Sequence, residues 1–458
     1  MENSVKVFRE QFFEELLKQS NSYIWHNASL KDVRQAVIIL SSSRSGSSFL
    51  VSVLRKLPEF YSLSGEDSPF FKLHVPNSGK CPSDAISEQV LEKENHTTLL
   101  SREFLNDFSI EGNPDAIMKD MEVLAEYVND LMLRIPLQWP QIAFSYEPLK
   151  RTIKQAFCAY KKAHTQFSVE DFYLELLFLL RLKYKVINPY YYDISPKKIG
   201  AKFPTLAIPS SPPCKTLSIE EPPFILLSPR QKVQKSDLAE KFLLLKTPAD
   251  CYRLPLIESL LPQANIKFIY LTRNPAASIN GIYDGWLHRG FFSYNLKPFL
   301  LGKNTLKLKA LNISGYSDKF SWGKWWWKYD LPPDWQDYTQ RSLEEVCAFQ
   351  WKSAHQYIQK YLTQRKKKFL FVAYEDLIMS PESRVQALRK ILEFANIDPL
   401  SLNKIELNEL PLIQATQMPK FYRWKEREKL LLPLLKNPEL GRICSSLGYR
   451  LKKMEEWI

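Results

Sequence analysis

Residues 41–48 have the composition of an anion-binding loop. Their sequence, SSSRSGSS, follows the apolar run AVIIL and precedes FLVSVLRKL, an order that predicts a buried parallel strand, a loop and a helix. A helix N-terminus presents unpaired N–H groups and the positive end of its dipole. Gly46 allows the backbone to approach an anion closely, the serines add hydroxyl donors, and Arg44 adds a permanent positive charge. This segment, here called the anion loop, therefore predicts a phosphate site, although it lacks the GxxxxGK[ST] pattern of a Walker A loop.

Two further cations follow predicted strands. Arg273 comes directly after NIKFIYLT, where a helix is predicted to begin near Pro275, and Lys246 comes directly after KFLLL. The carboxyl ends of parallel strands meet at one edge of a sheet, and doubly wound folds bind their ligands there. We therefore expect Arg273 to bind a second phosphate through its guanidinium group and Lys246 to point into the same crevice.

A turn with a carboxylate follows the first predicted strand–helix unit. Its sequence is LSGED at 63–67. A carboxylate is a poor ligand for an anion but a good general base, and Gly65 permits a tight backbone that can project Glu66 into the crevice. Taken by itself, Glu66 is either a solvated turn residue or a candidate general base.

Strands that alternate with helices predict an α/β fold with a central parallel sheet. Ser380 and Pro381 have the pattern of a helix N-cap and first helical residue. The strands are predicted at 36–40, 241–246, 265–272 and 368–376, and an amphipathic helix at 4–19. The predicted divisions are an N-terminal helical segment (1–35), a first strand–helix unit (36–79), a helical and Pro-rich insertion (80–235) and the remainder of the domain (236–458).

The composition excludes several classes of protein. The chain has 458 residues and a net charge of +13, which favours an anionic partner. Its six cysteines and six histidines are scattered without a zinc-binding spacing, so we expect no metal site. The N-terminus does not resemble a signal peptide, and no apolar run reaches 18 residues, so we expect a cytoplasmic protein without a transmembrane segment.

Taken together, these segments resemble the sulfotransferases that use 3′-phosphoadenosine 5′-phosphosulfate (PAPS). SSSRSGSSFL resembles the family's 5′-phosphosulfate loop, and YLTRNPAASINGIYDGW resembles its 3′-phosphate segment. LLLKTPADCYRLPLIESLLPQ resembles the central block, FVAYEDLIMSPESRVQALRKILEFANI a later block, and LGYRL the closing segment. The resemblance covers about 36–75, 241–290 and 368–452.

The resemblance implies a P-loop NTPase-like three-layer α/β sandwich with a central parallel sheet, and a largely helical insertion as a cap over the acceptor. PAPS is the implied cofactor. One departure concerns its 3′-phosphate, because Gly281 stands where the family has a serine, eight residues after the arginine. Ser278, on the same helical face, is the expected replacement, and Asn280 is the alternative. The implied ligands of PAPS are Arg44, Ser45, Gly46, Ser47, Ser48, Arg273, Ser278 and Asn280.

The reaction implied by the resemblance is in-line attack of an acceptor hydroxyl on the sulfuryl group. Arg44 and Lys246 would neutralise the departing phosphate without a metal. Gly65-Glu66 resembles the arrangement in tyrosylprotein sulfotransferases, where a glutamate is the base, whereas cytosolic small-molecule members use a histidine. His288 and His74 are therefore rival candidates. Carbohydrate, lipid, peptide and polyketide-type hydroxyls all remain possible acceptors, and the oligomeric state is open.

The sequence leaves two other functions as alternatives. A P-loop-type kinase or nucleotide-binding protein would share the fold, but the Walker lysine is absent, and such an enzyme would require Mg²⁺. A nucleic-acid-binding protein would suit the net charge and the aromatic residues, but no known recognition motif is present, so we expect no nucleic-acid partner. The run Trp325-Trp326-Trp327 predicts either core packing or a stacking platform.

Overall fold

The computed structural model describes residues 28–74, 83–89, 96–215, 218–300, 310–407 and 412–457. The helix predicted at 4–19 lies outside the described residues. In the described part of the chain, no helix combines the length and the apolar character that crossing a membrane would require.

The centre of the fold is a seven-stranded sheet in the order β4-β3-β2-β5-β1-β6-β9. Strand β1 lies between β5 and β6 and is parallel to both. Strands β2 and β9 extend the parallel part on its two sides, and β3 and β4 are antiparallel additions at one edge. The strands are β1 (Gln35–Leu40), β2 (Phe60–Ser62), β3 (Ser109–Glu111), β4 (Arg230–Lys232), β5 (Phe242–Leu245), β6 (Asn265–Thr272), β7 (Phe292–Asn295), β8 (Trp326–Lys328) and β9 (Phe369–Ala373).

Helices cover both faces of this sheet, and further helices lie in the segment 80–235. They are α1 (Ser47–Leu54), α2 (Ser68–His74), α3 (His96–Asp107), α4 (Met121–Gln138), α5 (Tyr146–Ala163), α6 (Val169–Lys183), α7 (Pro196–Lys202), α8 (Lys235–Glu240), α9 (Leu254–Leu260), α10 (Pro275–Leu287), α11 (Lys297–Leu300), α12 (Leu343–Gln364), α13 (Tyr374–Ile378), α14 (Pro381–Ala395), α15 (Glu428–Leu435) and α16 (Pro438–Ser446). Ser380 caps α14 as predicted, because its hydroxyl accepts a hydrogen bond from the Ser383 N–H at 3.1 Å.

Alternation along β1 separates two cores. Ile38 and Leu40 face a core shared with α4, α10 and α12, whereas Val37 and Ile39 face a core shared with α1 and α14. Successive side chains of a strand point to opposite faces, so a strand that is apolar throughout must be covered on both sides. The result is a three-layer α/β sandwich, and the predicted fold class is confirmed.

The strand predictions need two corrections. The four predicted strands are present as β1, β5, β6 and β9, although β9 ends at Ala373 and the following residues form α13. The sheet also contains β2, β3 and β4, which are three residues each, and the segment 291–340, expected to be irregular, contains the antiparallel hairpin β7–β8. Strands this short carry no periodic pattern, since their pairing partners lie far away in the sequence.

The segment 80–235, predicted to be an insertion, joins the sheet through two of its strands. Helices α3 to α7 lie within it, and its strands β3 and β4 pair with each other and extend the sheet beyond β2. The helical part is therefore anchored beside β2, the strand that precedes the Glu66 turn.

Candidate active site

A cavity of about 620 Å³ lies at the carboxyl ends of the parallel strands. The anion loop follows β1, Lys246 follows β5, and Arg273 follows β6, so three neighbouring strands deliver the predicted cations to one place. Arg44, Gly46, Ser47, Ser48, Glu66, Lys246 and Arg273 all line this cavity. The cavity therefore brings together seven of the residues that the sequence analysis singled out.

The anion loop turns sharply into α1. Gly46 has φ +89°, a left-handed conformation, and a Cβ there would lie 2.1 Å from Cδ2 of Tyr374. Only glycine fits this position without a shift of the ring or the loop. No side chain caps α1, so its first N–H groups have no partner within the helix and face the cavity beside Ser47 and Ser48.

Arg44 has a left-handed backbone conformation within the anion loop, with φ +63°. Its Nη1 donates to the carbonyl of Gln414 at 2.9 Å, and its guanidinium group lies 5.3 Å from the centre of the Phe291 ring. The Gln414 N–H in turn donates to Asp193 of the insertion at 3.0 Å. Arg44 thus connects the anion loop to the segment 412–423, part of which lines the same cavity.

Arg273 supports the anion loop from the neighbouring strand. Its Nη1 donates to the carbonyl of Arg44 at 3.2 Å, and its guanidinium group lies 5.0 Å from the centre of the Tyr374 ring. Burial lowers the pKa of Arg273; Tyr374 and Glu375 act against this, whereas the nearby guanidinium groups of Arg44 and Arg423 lower it further. Clustered cations of this kind favour an anionic ligand because it would relieve their mutual repulsion.

Arg423 is a cation of this cavity that the sequence analysis did not identify. Its guanidinium group forms an ion pair with Asp284 of α10 at 2.7 Å, and Arg427 binds the same carboxylate at 2.7 Å. Arg423 lies in the basic segment KFYRWKEREK. No predicted strand precedes this segment, so nothing in the sequence indicated that Arg423 reaches the cavity.

Lys246 joins the anion loop to the predicted base. Its Nζ donates to Ser48 Oγ at 3.0 Å and to Glu66 Oε1 at 2.5 Å. The Lys246 side chain is 7% exposed and that of Glu66 is 40% exposed, so the carboxylate is the more accessible partner. A proton acceptor and a positive charge therefore lie side by side next to the helix N-terminus.

The Glu66 turn is held by a buried network from the insertion. Asp107 accepts hydrogen bonds from the N–H and the hydroxyl of Ser64, the former at 2.8 Å. Arg134 binds Asp107 at 3.2 Å and Glu220 at 2.9 Å, and both pairs are almost fully buried. The two carboxylates raise the pKa of Arg134, which keeps it charged. Sequence reasoning missed this network because its members lie on α3, α4 and the Pro-rich segment.

Three of the implied PAPS ligands do not line the cavity. Ser45 and Ser278 are fully buried with their hydroxyl oxygens 3.5 Å apart, and Ser45 also contacts Ser42 at 2.7 Å. Asn280 accepts a hydrogen bond from Arg427 at 2.6 Å. A Cβ at Gly281 would lie 3.1 Å from the Cβ of Arg44, so the position where the family has a serine abuts the Arg44 side chain. The replacement of that serine by Ser278 or Asn280 stays a prediction.

His288 lies at the end of α10 and does not line the cavity. Its Nδ1 accepts a hydrogen bond from the Gly290 N–H at 3.1 Å. Burial, together with the charges of Arg289, Lys328 and Arg44, lowers the pKa of His288 to about 3. His74, the other rival, ends α2, and its side chain is outside the described part of the chain.

The donor groups around the anion loop fit a ligand with several negative charges. Arg44, Lys246, Arg273 and Arg423 line one cavity together with an uncapped helix N-terminus. In the described residues, no group of His, Cys, Asp and Glu side chains has a geometry suited to a metal ion. The site therefore has the donors that a phosphosulfate and a second phosphate require.

Comparison with known proteins identifies the class. Residues 210–410 match the family model described as the sulfotransferase domain. This part of the chain is therefore similar to the sulfotransferase domain, and the resemblance to the sulfotransferase family is confirmed for it. The match includes Lys246 and Arg273, whereas the anion loop and Glu66 precede it and are placed beside them by the pairing of β1 with β5 and β6.

No curated protein shows significant similarity to this chain. Among solved structures, a sulfotransferase domain from the curacin biosynthetic pathway is 14% identical, over 92% of this chain and 99% of its own, with a TM-score of 0.34. Sulfotransferase STF9 from Mycobacterium avium is 13% identical, over 97% of this chain and 87% of its own, with a TM-score of 0.36.

Proposed function

We propose that this protein transfers a sulfuryl group from PAPS to an acceptor hydroxyl, with Glu66 as the general base. One observation carries the proposal: Lys246 contacts both Ser48 of the anion loop and Glu66, so an anion site and a proton acceptor share one cavity. PAPS, when bound, supplies the sulfuryl group and leaves adenosine 3′,5′-bisphosphate as the product.

The residues that would hold the donor fall into two groups. Arg44, the N–H groups at the start of α1, and Lys246 would bind the phosphosulfate end. Arg273 and Arg423 would bind the second phosphate, since both line the cavity and Arg423 is close enough to lower the pKa of Arg273. A charge-assisted hydrogen bond contributes about 1.5–3 kcal/mol, so the removal of any one of these cations should measurably weaken the affinity for the bisphosphate.

Glu66 is placed to accept the proton of the acceptor hydroxyl at a carboxylate oxygen. It lines the cavity and its side chain is the more exposed partner of the Lys246 pair. Lys246 would offset negative charge on the donor side of the same space, which is the role of a preorganised cation in group transfer. His288 is a weaker candidate for the base because it does not line the cavity and its Nδ1 accepts a hydrogen bond from the Gly290 N–H.

The test measures donor binding and transfer separately. Adenosine 3′,5′-bisphosphate is titrated in a thermal-shift assay, and labelled sulfate transfer from PAPS is screened across phenol, alcohol, carbohydrate and peptide acceptors. Arg44→Ala and Arg273→Ala should each weaken bisphosphate affinity by about ten- to a hundredfold. Arg389→Ala removes a guanidinium group from the exposed side of α14 and should leave the affinity unchanged.

The proposal would be contradicted if both cavity variants bound the bisphosphate as tightly as the wild type. It would also be contradicted if the wild-type protein transferred phosphate from ATP with Mg²⁺ and ignored PAPS, which is the behaviour of a kinase.

A further inference from the structure

The aromatic segment 322–330 ends in a carboxyl group at the cavity. Trp327 is fully buried, and its Nε1 donates to the backbone carbonyl of Asp330 at 2.9 Å. The amide of Gln350 on α12 donates to the same carbonyl at 2.7 Å. The tryptophan run is therefore core packing, as one of the two expectations had it, and it fixes the position of Asp330, which lines the cavity.

The Asp330 carboxyl group binds the anion loop directly. Its Oδ1 accepts a hydrogen bond from the Ser43 hydroxyl at 2.8 Å, and its Oδ2 accepts one from the Tyr252 hydroxyl at 2.9 Å. Ser43 also lines the cavity. Both partners are neutral hydroxyls, and within the described ranges no cation forms an ion pair with this carboxyl group. A buried carboxylate without a cation is costly when ionised.

The surroundings favour a proton on this group. Burial, with a smaller contribution from Asp84, raises the pKa of Asp330 to about 7, although the hydrogen bonds from Ser43 and Tyr252 act in the opposite direction. Arg253, which follows the 3₁₀ turn Pro248–Tyr252 after β5, is itself paired with Asp67 and Asp250. The titratable groups that interact with Asp330 are Asp84 on the segment 83–89 and Cys251 and Tyr252 on the 3₁₀ turn after β5, and Arg253 lies 4.0 Å from Asp84.

We propose that Asp330 is a positioning residue of the anion loop and that the sulfuryl donor binds the form in which Asp330 carries a proton. The reason is the direction of the Ser43 hydrogen bond. An ionised Asp330 holds the Ser43 hydrogen and leaves only oxygen lone pairs of Ser43 toward an incoming anion. A protonated Asp330 donates its own hydrogen to Ser43 Oγ, which frees the Ser43 hydrogen to bind the anion. This inference depends on the proposed function, since it requires an anionic donor at the loop.

The Asp330→Asn variant imitates the protonated state. Its amide N–H can donate to Ser43 Oγ while its carbonyl accepts from Tyr252, so the two contacts of the wild-type carboxyl group are retained without charge. The Ser43→Ala variant is the matched control, because it removes the hydroxyl through which Asp330 is inferred to act and leaves the carboxyl group in place.

The experiment is calorimetric titration with adenosine 3′,5′-bisphosphate at pH 7.5, in buffers that differ in ionisation enthalpy, so that proton uptake on binding is measured directly. Wild type should take up protons, and Asp330→Asn should lack that uptake. Above pH 7, the ratio of the Asp330→Asn affinity to the wild-type affinity should grow by about tenfold per pH unit. In the Ser43→Ala background, the effect of Asp330→Asn should be clearly smaller.

Equal proton uptake by wild type and Asp330→Asn would overturn the inference while leaving bisphosphate binding, and hence the proposed function, intact. An undiminished effect of Asp330→Asn in the Ser43→Ala background would overturn the positioning role. If Asp330→Asn does not fold, the comparison of wild type with Ser43→Ala remains: Ser43→Ala should take up fewer protons, and equal uptake would refute the role of the hydroxyl. Absence of bisphosphate binding by wild type would overturn the proposed function and this inference together.

Discussion

Replacing Glu66 by glutamine tests the base while changing little else. The glutamine keeps an oxygen beside Lys246, and the turn remains held through Ser64 by Asp107 and Arg134. The ion pair with Lys246 is lost, but Glu66 is 40% exposed, so the cost in stability should stay within about 1 kcal/mol. Loss of a general base lowers turnover by about 10²–10⁴-fold, which corresponds to about 3–5 kcal/mol in the barrier. The effect on rate should therefore greatly exceed the effect on folding.

The assay is the pH dependence of kcat and kcat/KM for sulfuryl transfer, with thermal unfolding and bisphosphate affinity measured on the same samples. The affinity should stay equal or increase, because Glu66→Gln removes a negative charge next to an anion site and releases Lys246. His288→Asn is the control, since asparagine retains an acceptor for the Gly290 N–H and the side chain lies off the cavity wall. The assignment of Glu66 as the base would be refuted by two results together. The kcat of Glu66→Gln would be within threefold of the wild-type value, and His288→Asn would abolish a limb of the pH–rate profile near pH 6.5.

Two further substitutions examine the donor side. Lys246→Ala should lower kcat more than it lowers bisphosphate affinity, since Lys246 is expected to meet charge that develops during transfer; equal losses in single-turnover rate and in affinity would make it an ordinary phosphate ligand. Gly46→Ala should lower the free energy of unfolding by about 1–2 kcal/mol through its left-handed φ alone, and should also weaken bisphosphate binding, because its Cβ would lie 2.1 Å from Tyr374. Gly200→Ala on α7 is the matched control, with open space around its Cβ, and urea unfolding with bisphosphate titration would contradict this account if the two alanine variants behaved alike.

The parts of the site that could be predicted from sequence are those set by local pattern. AVIIL, KFLLL and NIKFIYLT are continuous apolar runs followed by polar residues, and the carboxyl ends of parallel strands must lie together. The sequence alone therefore places Arg44, Lys246 and Arg273 at one edge of the sheet.

The remaining parts depend on contacts between distant segments. Asp107 and Glu220 both form ion pairs with Arg134, although the two carboxylates are 113 positions apart in the sequence. Asp330 reaches Ser43 across 287 positions, and nothing in WWWKYD indicates that its last residue faces the anion loop. Side-chain pairs of this kind are set by tertiary packing, which local periodicity does not report.

The pairing of β1 with both β5 and β6 fixes the spacing of the three cations Arg44, Lys246 and Arg273. Ile38 is opposite Leu245, the residue before Lys246, and Leu40 is opposite Tyr270, three residues before Arg273. Neighbouring strands are held about 4.8 Å apart by main-chain hydrogen bonds whatever side chains they carry. A substitution in the core that preserves this ladder should therefore change how much of the protein is folded, while each folded molecule keeps the same charge spacing and the same turnover. Core residues can therefore be replaced without a change in the charge spacing of the site.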